Sequence, residues 1–131
     1  MLASPAVSTL RKVLSVEDSG ATRELLRSAL ETIEVVEVHM AVSGFDALKV
    51  LPRHRFELII TDINMPDING LELINFVKKN PHYRDTPLFV VTTEGREQDR
   101  DRGLQLGANE YVVKPFDPAR ISELVRRYLK L

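Results

Sequence analysis

Cysteine is absent from the 131-residue chain, and neither sign of charge predominates. Without cysteine there can be no disulfide, no thiol nucleophile and no cysteine-ligated metal site, which suits a reducing compartment. The 18 basic and 19 acidic residues give a formal net charge of -1, and they form no basic stripe that would hold a phosphate backbone. Nucleic acid is therefore not an expected partner.

Long apolar runs are absent as well. No stretch approaches the roughly 20 apolar residues of a membrane span, and the opening residues MLASPAVSTLR lack the apolar centre of a signal peptide. We expect no membrane contact, a cytoplasmic location and a short flexible N-terminal arm over residues 1–11. Residues 12–131 are enough for one compact domain, which we expect to be a monomer.

The sequence does contain a regular alternation of strand and helix patterns. Short apolar runs predict buried strands, and segments with apolar residues three or four apart predict helices between them. Continuously apolar strands that are joined by helices indicate a parallel sheet covered on both faces. The predicted strands are 12–16, 35–41, 58–61, 88–92 and 111–113.

Polar residues and prolines mark the ends of the predicted helices. Ser19, Ser43 and Asp117 are expected N-caps of the first, second and fifth helices, because a short side-chain oxygen can accept from the free N–H groups of a helix start. The second helix is expected to end at Pro52, which cannot continue it. Its predicted apolar side carries Phe45, Leu48 and Leu51.

Right-handed crossovers leave few arrangements for this alternation. We predict a flavodoxin-like (βα)5 fold of the α/β class, with a doubly wound parallel sheet of five strands in the order 2-1-3-4-5. In such a fold, ligands bind beyond the carboxyl ends of the strands. The residues at those ends are Glu17, Asp18, Asp62, Thr92 and Lys114.

The acidic residues among them predict a metal site. Glu17, Asp18 and Asp62 would converge from adjacent strands, and carboxylates packed this closely repel one another unless a cation lies among them. Mg²⁺ prefers oxygen ligands and is commonly held by one or two carboxylates and a phosphate oxygen. A backbone carbonyl near Asn64 would complete the protein ligands.

The other two strand ends supply groups that would stabilise a phosphoryl group in transfer. The hydroxyl of Thr92 can donate a hydrogen bond to a phosphoryl oxygen, and the ammonium of Lys114 supplies positive charge. Together with the metal, they would neutralise the charge on the transferred group. We therefore predict that Asp62 is a phosphate acceptor, with Thr92 and Lys114 as its catalytic partners.

Each of these residues also has an ordinary structural explanation when it is taken alone. Asp62 can cap a loop, and Thr92 can be an ordinary strand residue. Lys114 can belong to a turn that precedes a proline. Glu17 and Asp18 can simply precede a helix. Their common position at the carboxyl ends of one predicted sheet favours the functional interpretation.

Short motifs surround these strand ends. They are Glu17-Asp18, Asp62-Ile63-Asn64-Met65-Pro66 with Gly70, Val91-Thr92-Thr93-Glu94, Gly107-Ala108, and Tyr111-Val112-Val113-Lys114-Pro115-Phe116. In combination they resemble the receiver domain of bacterial two-component response regulators, and most closely the single-domain, chemotaxis-type CheY-like group. The resemblance covers residues 12–130, and it implies the same strand order.

The resemblance implies that Asp62 accepts a phosphoryl group from a histidine kinase, CheA-like or other, with Mg²⁺ as cofactor. Asp18, Asp62 and the backbone carbonyl of Asn64 are then direct metal ligands, and Glu17 acts through a metal-bound water. Many members have Asp where this chain has Glu17, and the family tolerates the longer side chain. The protein would be no conventional enzyme, since it would catalyse only its own phosphorylation and dephosphorylation.

The resemblance further implies a conformational switch. Thr92 closes on the phosphoryl group and Tyr111 moves from an exposed to a buried rotamer. The surface of the fourth helix, fifth strand and fifth helix then changes and binds a protein target. The Lys114–Pro115 peptide bond is expected to be cis. Asn64 and Glu94 occupy positions that govern the access of hydrolytic water, and their identities predict rapid loss of phosphate.

The predicted fourth helix is the segment least like the rest. From Glu94 to Gly103 it contains no apolar residue, and its like-charge and opposite-charge pairs nearly balance. We expect Leu104 and Leu106 to anchor its far end and its first turns to be frayed, with partner recognition there depending on charge. An ordinary solvated helix face is the alternative.

Other functions compete with the phosphorylation switch. A phospho-independent pseudo-receiver or adaptor is one, although the intact acidic, threonine and lysine set argues against it, and a phosphate sink is another. An enzyme on the same sheet, such as a phosphatase with an aspartate nucleophile or a flavin protein, is a third. Asn64 stands where such a phosphatase would have a second acid, and no glycine-rich phosphate cradle follows the first strand. The sequence identifies neither the kinase nor the target.

Overall fold

Five parallel strands and five α-helices alternate over residues 10–131, which are the residues that the computed structural model describes. The first nine residues of the expected N-terminal arm lie outside this range, and the first strand begins at Arg11. The elements are β1 (Arg11–Val16), α1 (Gly20–Glu31), β2 (Val36–Ala41), α2 (Gly44–Val50), a short 3₁₀ turn (Leu51–Arg53), β3 (Leu58–Thr61), α3 (Gly70–Lys79), β4 (Leu88–Thr92), α4 (Glu97–Gln105), β5 (Glu110–Val113) and α5 (Pro118–Leu129).

The strands form one sheet in the order β2-β1-β3-β4-β5, and every neighbouring pair is parallel. The predicted flavodoxin-like topology is therefore confirmed. β1 and β3 lie side by side, with Val16 opposite Thr61, so the residues that follow the two strands emerge together at one edge of the sheet. That edge is the switch point of the fold, where successive connections leave toward opposite faces.

Alternation along the buried strands divides the core into two apolar layers. Leu14 and Ile59 face one side of the sheet, and Val13 and Leu58 face the other. Helices α2 and α3 cover the first side, whereas α1 and α5 cover the second and contact each other. All residues of β3 and β4 are buried, which explains why these strands are continuous apolar runs.

The helix starts agree in part with the expected caps. The hydroxyl of Ser43 accepts the Asp46 N–H, and the carboxylate of Asp117 accepts the Ala119 N–H. Ser19 occupies the N-cap position of α1 but makes no side-chain capping bond. Among residues 10–131, no helix has both the length and the apolar character required to cross a bilayer.

The apolar side of α2 agrees with the prediction except at Phe45. Leu48 and Leu51 pack on the core, together with Gly44 and Ala47, whereas Phe45 is 57% exposed. The four inward-facing residues are spaced as one helical stripe, and Phe45 is rotated about 100° from Gly44 around the helix axis. Pro52 does not end the helix directly, because it lies within the 3₁₀ turn.

Helix α4 begins later than predicted and is anchored differently. It starts at Glu97, and Leu104 is 37% exposed, so this leucine does not anchor it. Its buried residue is Gly103, whose backbone approaches the ring of Tyr111 because it has no side chain to hold them apart. Leu106, just after the helix, packs against the core as expected.

Candidate functional site

Three carboxylates meet where β1 and β3 end. An oxygen from each of Glu17, Asp18 and Asp62 lies within 4.8 Å of the other two. Glu17 and Asp62 are buried, while Asp18 is exposed to solvent. The structure thus brings together the three acidic residues that the sequence predicted to converge.

The ammonium of Lys114 joins this cluster from the end of β5. Its Nζ donates to Asp62 Oδ2 at 2.8 Å and to Glu17 Oε2 at 3.0 Å. Burial disfavours the charge of Lys114, but the hydrogen bonds to Asp62 and Glu17 outweigh it and raise the pKa of the ammonium. Burial raises the pKa of Glu17, although the bond from Lys114 opposes this shift. One half-buried cation thus faces two buried acidic groups.

The backbone after β3 orients the carboxylate of Asp62. Its Oδ1 accepts the N–H groups of Ile63 at 2.6 Å and of Asn64 at 3.1 Å. The other oxygen, Oδ2, faces Lys114. Hydrogen bonds to an ionised acceptor are the stronger kind, so both oxygens of Asp62 are held in defined positions.

A close approach at Gly70 shapes the loop between β3 and α3. The Gly70 N–H donates to the carbonyl of Ile63 at 2.8 Å, and a Cβ on Gly70 would lie 2.1 Å from the carbonyl oxygen of Asp62. Any side chain larger than hydrogen would push the two ends of the loop apart. Gly70 was predicted as part of the motif after Asp62, but the reason for a glycine there depends on this contact in the fold.

Arg23 of α1 supports the loop that carries the other two acidic residues. Its Nη1 donates to the backbone carbonyls of Glu17 and Asp18, at 3.2 Å each. Within the same loop, Glu17 Oε1 accepts the Ser19 N–H at 3.1 Å. Arg23 was not among the predicted site residues. No sequence signal marks it, since its long side chain reaches back to carbonyl groups that any residues would supply.

Glu94 connects three residues that the sequence assigned to switching and hydrolysis. Its N–H donates to the hydroxyl oxygen of Thr92 at 3.3 Å, and its carboxylate accepts the side-chain amide of Asn64. Its backbone carbonyl accepts the hydroxyl of Tyr111. These four residues form one hydrogen-bonded chain from the end of β4 across to β5.

Tyr111 lies in an inward-facing, half-buried position. Its ring packs against Gly103 of α4, where a Cβ would lie 3.3 Å from the ring. Burial, together with the nearby charges of Asp99 and Glu94, raises the pKa of the Tyr111 phenol to about 12. The hydroxyl therefore remains a hydrogen-bond donor at neutral pH.

The ends of β4 and β5 are joined directly. The backbone N–H of Lys114 donates to the carbonyl of Thr92 at 2.7 Å, and the Lys114–Pro115 peptide bond is cis. Lys114 and the fully buried Thr92 therefore lie at the ends of neighbouring strands, and the ammonium of Lys114 contacts the acidic cluster.

The donor set suits a hard divalent cation. Carboxylate oxygens are the ligands that Mg²⁺ prefers, and such an ion keeps several of its waters. Exposed Asp18 leaves one side of the cluster open to water. Glu17, Asp18 and Asp62 therefore fit Mg²⁺ in both chemistry and spacing.

Comparison with known proteins agrees with this geometry. The sequence profile of the response regulator receiver domain matches residues 13–126. The chain belongs to this family. A chemotaxis protein CheY homolog of Campylobacter jejuni is 37% identical over 113 residues, which are 86% of this chain and 87% of that protein.

Solved structures share the fold of this receiver domain. The chemotaxis response regulator CheY4 of Vibrio cholerae superimposes with a TM-score of 0.84 at 34% identity, over 92% of this chain and 99% of that one. The response regulator Rcp1, in its Mn²⁺-bound form, superimposes with a TM-score of 0.83 at 26% identity, over 92% and 95% of the two chains. The chain is thus a CheY-like receiver domain, a type of domain that signals through phosphorylation by histidine kinases and binds downstream proteins.

Proposed function

We propose that this receiver domain accepts a phosphoryl group on Asp62 from the phosphohistidine of a kinase. The contact between Asp62 and Lys114 inside the acidic cluster carries the proposal. Backbone N–H groups hold one oxygen of Asp62 and an ammonium holds the other, so the carboxylate is oriented for attack on phosphorus. The P–N bond to the kinase histidine breaks as a P–O bond to Asp62 forms.

Asp18 and Asp62 are the direct carboxylate ligands of Mg²⁺ in this proposal, and the backbone carbonyl of Asn64 is the third protein ligand. Glu17, whose oxygens accept hydrogen bonds from Ser19 and Lys114, would act through a metal-bound water. When bound, the ion neutralises charge on the phosphoryl oxygens. Three carboxylates against one ammonium leave an excess of negative charge, which favours the uptake of a divalent cation.

Thr92 and Lys114 hold the transferred group. The hydroxyl oxygen of Thr92 accepts the Glu94 N–H, so its own proton can be donated to a phosphoryl oxygen. The ammonium of Lys114 already contacts the Oδ2 of Asp62 and stabilises the negative charge of the group that binds there.

The output surface in this proposal is formed by α4, β5 and α5. When Thr92 moves toward the phosphoryl group, its bond to the Glu94 N–H transmits the movement to the carbonyl that holds Tyr111. Two exposed apolar side chains, Leu104 at 37% and Val113 at 42%, lie on this surface. They are available to a downstream protein target.

Asn64 and Glu94 tune the loss of the phosphoryl group. Their side chains are hydrogen-bonded to each other, and Asn64 is exposed, so water reaches the pair. We expect the phosphorylated chain alone to lose its phosphoryl group within minutes once the donor is removed. A half-life of hours without any phosphatase would contradict this expectation.

Incubation with a small phosphodonor and Mg²⁺, followed by intact-mass measurement, tests the acceptor. One phosphoryl group per chain is expected, and a chelator of divalent ions should prevent the uptake. Asp62→Asn should abolish it, because the amide is a poor nucleophile. Asp85→Asn is the matched control, since Asp85 is an exposed aspartate in the loop between α3 and β4.

Stoichiometric labelling of the Asp62→Asn protein would overturn the assignment of the acceptor. A wild-type chain that takes up no phosphoryl group from either a small donor or a kinase would instead be a pseudo-receiver or adaptor.

A further inference from the structure

The tip of the β3–α3 loop is fastened to the first turn of α2. Asp67 lies in this loop, and its carboxylate accepts two consecutive backbone N–H groups. Oδ1 accepts from Gly44 at 3.1 Å and Oδ2 accepts from Phe45 at 2.8 Å. The bond from Phe45 is the main reason why the pKa of Asp67 falls to about 2, with burial opposing it. The carboxylate is therefore ionised at neutral pH, and both of its oxygens are used.

An apolar contact reinforces this attachment. Ile68, the next residue of the loop, packs directly on Gly44, where a Cβ would lie 2.7 Å from the Cβ of Ile68. Gly44 is buried beneath the loop. The absence of a side chain at Gly44 thus permits the close approach that brings the Asp67 carboxylate to the start of α2.

The attachment spans the part of the sheet that carries the acidic cluster. Helix α2 follows β2, and β1 lies between β2 and β3 in the sheet. The loop therefore starts at Asp62, at the end of β3, and reaches the start of α2. The end of β1 lies between these two points. Asp18 is the second residue after β1.

The loop is held at two places, and Asn64 lies between them. At the base, the Gly70 N–H donates to the carbonyl of Ile63. At the tip, Asp67 holds α2. Asn64 is exposed, so little packing restrains it apart from these two attachments and the bonds that it makes itself.

We infer that Asp67 is a positioning residue for the phosphorylation site. By fastening the loop to α2, it keeps the backbone around Asn64 in the arrangement in which the acidic cluster binds its divalent cation. This inference rests on the function proposed above. Asp67 touches neither the cation nor the phosphoryl group, and it acts through the loop.

Mn²⁺ binding to the full chain tests the inference. Mn²⁺ is a paramagnetic ion that prefers oxygen ligands, as Mg²⁺ does. Its free concentration is measured by electron paramagnetic resonance. Asp67→Ala is expected to weaken Mn²⁺ binding on the order of fivefold, less than the 10- to 100-fold typical when a group bonded directly to a metal ligand is lost. Asp67→Asn, which keeps one acceptor oxygen, is expected to fall between wild type and Asp67→Ala.

Asp46→Ala is the matched control. Asp46 lies in the same turn of α2 and accepts the Val42 N–H through its own carboxylate, and its removal deletes the same charge without releasing the loop. Circular dichroism and the urea midpoint establish that every variant is folded. Wild-type affinity in folded Asp67→Ala, or an equal loss in Asp46→Ala, would overturn the inference.

Asp18→Asn separates this inference from the function on which it rests. Loss of Mn²⁺ binding in Asp18→Asn, together with wild-type binding in Asp67→Ala, would overturn the role of Asp67 alone. Wild-type Mn²⁺ binding in Asp18→Asn would overturn the proposed metal site itself.

Discussion

Gly70 is the residue on which the shape of the β3–α3 loop depends most directly. An alanine Cβ at this position would meet backbone atoms at the other end of the loop. It would lie 2.1 Å from the backbone carbonyl oxygen of Asp62 and 2.6 Å from the Cα of Ile63. Backbone atoms cannot move aside by a change of rotamer. A side chain there must therefore either displace the backbone of Asp62 or break the hydrogen bond between Gly70 and Ile63 that closes the loop.

Gly70→Ala is expected to lower the free energy of unfolding by about 3 kcal/mol, the upper range for overpacking in a tight site. Urea unfolding followed by circular dichroism measures this. Gly20→Ala is the control, because the nearest atom to a Cβ there belongs to the flexible side chain of Arg23, at 3.6 Å. That variant should stay within about 1 kcal/mol of wild type. Equal stability of Gly70→Ala and wild type would contradict the close approach.

Some residues at this site could be predicted from the sequence, and others could not. Asp62 and Lys114 were recognisable from motifs, since each directly follows an apolar run. Arg23 and Asp67 were not, although both make hydrogen bonds to the backbone of a loop or helix next to the site. Backbone groups are the same at every position of a chain, so the sequence carries no pattern for contacts of this kind.

At the scale of elements, α4 is the least supported helix of the described chain. Its single buried residue is Gly103, and its N-cap position makes no side-chain capping bond. The ion pair between Arg96 and Asp99, at 3.0 Å, is exposed, and pairs of this type contribute roughly 0 to 1 kcal/mol. By contrast, α5 buries four apolar residues and begins with a capping aspartate.

Hydrogen exchange of the native protein is expected to show this difference. The amides of residues 95–102 should exchange much faster than those of β3 and β4, because opening the start of α4 exposes almost no apolar surface. The helical amides of α5 serve as the internal control and should be protected. Protection of residues 95–102 equal to that of the central strands would contradict the hypothesis that this segment is frayed.

At the scale of the whole molecule, one path of contacts links the acidic cluster to the proposed output surface. It leads from Asp62 to the backbone N–H of Asn64, from the side-chain amide of Asn64 to Glu94, then to Tyr111, and from the ring of Tyr111 to Gly103 of α4. Every link is a direct contact between neighbouring groups. Coupling along this path requires that both ends bias the same change of state.

Amide NMR spectra test this coupling. Beryllofluoride with Mg²⁺, a mimic of a phosphoryl group on aspartate, is expected to shift the amides around Asp62 and also those of α4 and β5. In Tyr111→Phe, the loss of the bond to Glu94 should reduce the α4 shifts while the shifts around Asp62 remain. In the wild-type protein, shifts confined to the loops around Asp62 would contradict a path through Glu94. The Asp62→Asn variant is the control and should show no shifts when beryllofluoride is added.

Much of the fold followed from local physics. The apolar runs placed β3 and β4 at their observed bounds and the other strands within one residue, because burial on both faces demands continuous apolar sequence. Ser43 and Asp117 marked helix starts for a similar reason, since capping involves neighbours in the chain. Phe45 and Leu104 were misplaced, because hydrophobicity alone does not tell which side of a short helix faces the core when glycine or alanine can do so.

What the sequence by itself determined was the set of strands and helices, and the fact that five reactive side chains lie at or just after the carboxyl ends of strands. Regular backbone geometry converts those patterns into positions without further information. Only the tertiary structure decided which atoms meet. The pairing of Lys114 with two carboxylates, the contacts of Glu94 and the attachment of Asp67 to α2 join residues that are distant in the chain. Such contacts depend on distances set by the packing of the sheet and helices, which no local pattern records.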